Sequence, residues 1–62
     1  MKITFYLHTV STSGQEYNAS MASFEFEPSV SPEEATRQAK EQFQAQMGIK
    51  HWQDRAHTYE LS

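Results

Sequence analysis

Apolar positions recur every second residue at the start of the chain, with Ile3, Phe5 and Leu7 on one side and Lys2, Thr4, Tyr6 and His8 on the other. That period, carried by β-branched and aromatic types, predicts a strand over 2–10 with one face buried. Residues 11–16, Ser-Thr-Ser-Gly-Gln-Glu, are turn chemistry around Gly14, a residue that takes a positive φ without steric cost. Alternation resumes over 17–27. Asn18, Ser20, Ala22, Phe24 and Phe26 face one way, and Tyr17, Ala19, Met21, Ser23, Glu25 and Glu27 the other. Two alternating runs joined by a short polar loop predict a hairpin.

The next segment changes period. Ser31-Pro32-Glu33-Glu34 offers a capping serine, a proline at the first helical position and a glutamate three residues after the cap, which together predict a helix start. The two early carboxylates suit the positive end of a helix dipole. Ala35, Ala39, Phe43 and Met47 recur every fourth residue, a narrow stripe that predicts a helix over 32–47 packed on a sheet. Gly48 ends the run where a left-handed residue is expected, and Ile49 can fold back towards Phe43. Lys50 to Asp54 reads as a polar linker. Residues 55–61 alternate again and predict a third strand, with Tyr59 and Leu61 inward.

The order is β-β-α-β in a single α+β domain, residues 1–62. The first strand is the most apolar and belongs at the centre, which gives a three-stranded, mostly antiparallel sheet in order 2-1-3. One helix covers one face. Pairing Lys2 with Glu25 brings opposite charges together. It sets Ile3 against Phe24, Thr4 against Ser23 and Phe5 against Ala22. A regular ladder then continues with Tyr6 opposite Met21, His8 opposite Ala19 and Val10 opposite Tyr17. On that register the face away from the helix collects Tyr6, His8, Val10, Tyr17 and Met21, an apolar patch of the kind that marks an interface.

Composition narrows the classes. A chain of 62 residues with no cysteine has no disulfide framework and must be held by packing, with a second copy as one natural aid. The net charge of −3 argues against a protein that binds nucleic acid by neutralising many phosphates. The first residues lack the continuous apolar run of a signal peptide, and no stretch approaches the ~18 apolar residues of a membrane span. The expected location is therefore the cytoplasm. In size and acidity the chain is similar to accessory proteins of phages and bacteria, a likeness of composition and not of residues.

Candidate chemistry is sparse. Lys50, His51, Trp52 and Arg55 form a basic and aromatic segment suited to an anion or a stacked base. Against that, a lone Trp in a small domain commonly plugs the end of the core. His8, His51 and His57 lack the spacing of a metal site, so no metal or cofactor is expected. Ser11 or Ser13 with His8 and Glu16 would lie at a hairpin tip without an oxyanion hole. Glu33 and Glu34 are adjacent on a helix and point apart. The expectation is a small non-enzymatic protein–protein interaction or regulatory module, self-associating through the open sheet face or binding another protein. The alternative is a weak nucleic-acid or anion binder using residues 50–55.

Overall fold

The computed structural model describes residues 1–62. The hairpin strands β1 (Lys2–Val10) and β2 (Glu16–Glu25) are followed by helix α1 (Pro32–Met47), a short 3-10 turn at Trp52–Asp54, and β3 (Thr58–Leu61). The sheet order is β2-β1-β3, and both outer strands run antiparallel to β1. This is the α+β arrangement expected from the sequence. β1 takes the centre because Ile3, Thr4 and Phe5 are buried together only where strands flank them on both edges.

Element ends differ from the alternation at three points, the first being that β2 starts at Glu16, one residue early. β2 stops at Glu25 instead of residue 27, although the Phe26 N–H still reaches the Met1 carbonyl at 2.8 Å. β3 begins at Thr58 instead of residue 55, because residues 50–54 are not a plain linker. The N–H groups of Asp54, Arg55 and Ala56 donate to the carbonyls of His51 and Trp52. Backbone committed to that turn cannot join a ladder.

The helix follows its local signals closely. Ser31 Oγ accepts from the Glu34 N–H at 3.2 Å, and Pro32 opens the first turn. Gly48 adopts φ 69°, the Gly48 N–H reaches the Ala45 carbonyl, and the Ile49 N–H reaches Gln44 at 3.0 Å, the paired closure expected of a left-handed end. Ala35, Ala39 and Phe43 are fully buried. The two alanines let the helix lie close to the sheet, and the Phe43 ring stacks on Phe5 with centroids 4.5 Å apart and planes 7° from parallel. Phe5 also meets Phe24 edge-on and the rings of Trp52 and Tyr59 at 5.8 Å each. Ile3, Phe5, Ala35, Ala39, Phe43 and Ala56 make the core.

The Glu34 carboxylate turns along the helix to Arg37, and Gln38 Nε2 donates to it at 3.0 Å. Arg37 also reaches Glu41 at 2.9 Å. These hydrogen bonds, Arg37 first, hold the Glu34 carboxyl at about 2, down from an ordinary 4.5. A depressed carboxylate stabilises the fold above its unfolded value, and that contribution disappears as pH falls from 4.5 towards about 2. Glu34→Gln should therefore lose less thermal stability than the wild type across this window. High salt should narrow the difference, since the pair is exposed. Thermal melts at stepped pH check both.

β3 pairs only with Ile3 to Tyr6 of β1, so residues 7–20 of the hairpin project as a two-stranded arm. The molecule measures 43 × 24 × 14 Å with a radius of gyration of 12.6 Å. A compact chain of this length would have about 10.6 Å. The arm accounts for the excess.

Candidate functional site

The hairpin register matches the expectation from Lys2↔Glu25 through Ile3↔Phe24 and Thr4↔Ser23 to Phe5↔Ala22, and then it shifts. Tyr6 lies opposite Ser20, His8 opposite Asn18 and Val10 opposite Glu16, instead of Met21, Ala19 and Tyr17. Met21 is the extra residue of a β-bulge. Two residues of the bulged strand oppose one of its partner, which reverses the phase of everything beyond. Met21 packs against the core cluster, and Ala19 and Tyr17 pair with Leu7 and Thr9 on the helix side.

The face away from the helix is consequently polar. Its rows are Lys2–Glu25, Thr4–Ser23, Tyr6–Ser20, His8–Asn18 and Val10–Glu16, with Glu60 and Thr58 added by β3. Thr4 Oγ1 and Ser23 Oγ share a hydrogen bond of 3.0 Å. Of the five residues expected to form one patch, Tyr6, His8 and Val10 lie on this face and Tyr17 and Met21 on the other. The bulge does have a sequence signal: apolar positions run 17, 19, 21 and then 22, 24, 26. A one-step jump in phase lets both sets share one side only if the strand bulges between them.

An apolar row, half-buried at Leu7 and Ala19 and exposed at Tyr17, therefore lies on the helix side of the arm, past the packed core. Leu7, Ala19 and Tyr17 follow one another there, with Thr9 beside them and no charged side chain in the row. Tyr17 is 52% exposed, and Val10, close by on the opposite face of the tip, 56%. Leu61 pairs with Ile3 on the inward side as expected, yet it remains 44% exposed because it ends a short edge strand.

The segment 50–55 divides. Lys50, His51 and Arg55 are exposed. Trp52 is half-buried, its ring meeting Phe5 and, edge-on at 5.4 Å, Tyr59. Its backbone N–H donates to Gln44 Oε1 at 3.0 Å. Lys40 Nζ sits 5.6 Å from the Trp52 ring centre and 5.0 Å from that of Tyr59, close enough for cation–π attraction to both. Lys40 carried no signal in the sequence, since its place over two rings from other elements is a product of folding.

Two histidines separated by most of the chain come together at the base of the arm. The His8 backbone N–H donates to His57 Nδ1 at 2.9 Å, and the ring centroids are 6.3 Å apart. The His8 ring also has Asn18 Oδ1 at 3.4 Å from Nδ1 and Glu16 Oε1 at 3.9 Å from Nε2. No group of three or more His, Cys, Asp or Glu side chains is arranged to hold a metal ion. Ser11 and Ser13 bond each other at 2.8 Å, and Ser11 Oγ accepts from the Gln15 N–H. The surface has no pocket, and no helix is long and apolar enough to cross a membrane. The chain matches no family model, no curated protein and no solved structure.

Proposed function

We propose that the protein is a non-enzymatic protein–protein interaction module that self-associates through the helix-side face of its hairpin arm. The observation that carries this reading is the row Leu7–Ala19–Tyr17 on a two-stranded arm, with Leu7 and Ala19 half-buried and Tyr17 exposed. An isolated hairpin is marginal in water, so an arm with an apolar row gains order by docking. A second copy suits it for two reasons. The row bears no charge, so a two-fold contact brings no like charges together, whereas the reverse face carries Glu16, Glu25 and Glu60. Moreover, just seven residues are buried, and a small core without disulfides benefits from area covered by a partner.

Sedimentation of the wild type should give a dimer at high micromolar concentration. Leu7→Glu or Tyr17→Glu should weaken it by about tenfold to a hundredfold, the result of burying an unpaired charge. Ser20→Glu, on the reverse face, should leave it intact. A monomeric wild type, or equal dissociation by all three variants, overturns the reading.

A further inference from the structure

We infer that His57 is a proton-operated latch for the arm. Its imidazole ties the lead-in of β3 to β1 just past the last paired residue, and protonation releases the tie. Beyond Tyr6↔Thr58 the β1 edge that faces β3 has no further strand partner. There the His57 N–H donates to the Tyr6 carbonyl at 2.8 Å. The His57 ring in turn accepts from the His8 N–H at 2.9 Å. The two bonds extend the ladder by one step, with a side chain standing in for a backbone carbonyl.

The chemistry of this step depends on protonation. An imidazole nitrogen accepts a hydrogen bond only when it carries no proton, so the neutral ring must hold its hydrogen on Nε2. Once the ring takes up a proton, both nitrogens are donors and Nδ1–H faces the His8 N–H. Histidine is the side chain whose ordinary titration spans mildly acidic pH. The sign is therefore fixed: the tie is present in the neutral ring and lost as pH falls.

Neighbouring groups push in both directions. From β1, the His8 ring centroid is 6.3 Å away, and when both rings are protonated they repel, which adds to release. From β2, Glu16 lies 3.9 Å from His8 Nε2 and attracts a protonated His8, which offsets part of that repulsion. Asn18, also on β2, is neutral, and Arg55, two residues upstream of His57, is exposed. The inference concerns the order of the arm and holds whatever the arm meets.

Proton and nitrogen NMR of the full chain tests it, because the residue-8 amide reports the bond and the ring carbons report protonation. As pH falls from about 8 to about 5, the residue-8 amide proton should move upfield in step with the His57 ring. Its exchange protection should drop by about fivefold, the worth of one ordinary hydrogen bond. Long-range ring correlations at high pH should show the Nε2–H form of His57. His57→Ala should hold the amide at its low-pH position throughout, while His8→Gln should preserve the pH response at that position. An Nδ1–H tautomer, or an amide that fails to follow His57, overturns the latch. The same pH titration of Tyr17→Glu, expected to weaken self-association, should show an unchanged residue-8 response, so the latch stands or falls separately from self-association.

Discussion

Phe5→Ala is expected to leave the chain largely unfolded at room temperature. Phe5 is fully buried, stacks on Phe43 and touches Phe24, Trp52 and Tyr59, so one ring joins β2, α1, the 3-10 turn and β3. Truncating a buried Phe costs about 3–5 kcal/mol in lost transfer energy and residual cavity. A core of this size supplies about 3–5 kcal/mol in total. The two magnitudes match, and the balance tips. Urea titration followed by Trp52 fluorescence and far-UV circular dichroism measures it. A cooperative transition with less than about 1 kcal/mol lost would mean that Phe5 is not the hub.

The second large effect comes from adding atoms. Ala39 is fully buried on the helix stripe between Ala35 and Phe43, where a methyl group is the largest side chain that keeps the helix near the sheet. Ala39→Leu inserts three carbons into a closed contact, and such overpacking costs about 1–3 kcal/mol. The Phe5–Phe43 stack at 4.5 Å should open as the helix lifts. Ala45→Leu is the matched control: it sits on the same helix but is exposed, and leucine and alanine are both good helix formers. It should change stability by no more than about 0.5 kcal/mol. Equal losses at the two positions would show that helix propensity, and not the approach of helix to sheet, sets the cost.

Much of this architecture is written locally. The cap at Ser31, the proline beside it and the closure at Gly48 depend on residues within one turn of each other, so the helix bounds follow from short-range chemistry. Lys2 with Glu25 and Ile3 with Phe24 were readable as a register because slipping one residue exposes a whole apolar set. Beyond Phe5 the register departs from that rule. A regular ladder continues its alternation by default, and a bulge is invisible to that rule unless the jump from Met21 to Ala22 is read as a change of phase. The candidate surface was therefore legible in its residue types but not in its grouping, with Tyr17 on one side and Tyr6 and Val10 on the other.

Local periodicity fixes the helix, the register as far as Phe5–Ala22 and the central place of β1, because these follow from which side chains avoid water at a fixed spacing. Three features arise from folding in three dimensions. It placed the extra residue at Met21, where burying a thioether on the core offsets a broken ladder step. It set Lys40 above Trp52 and Tyr59. It also joined His8 to His57. Each depends on groups far apart along the chain, and no local period records the distance between them.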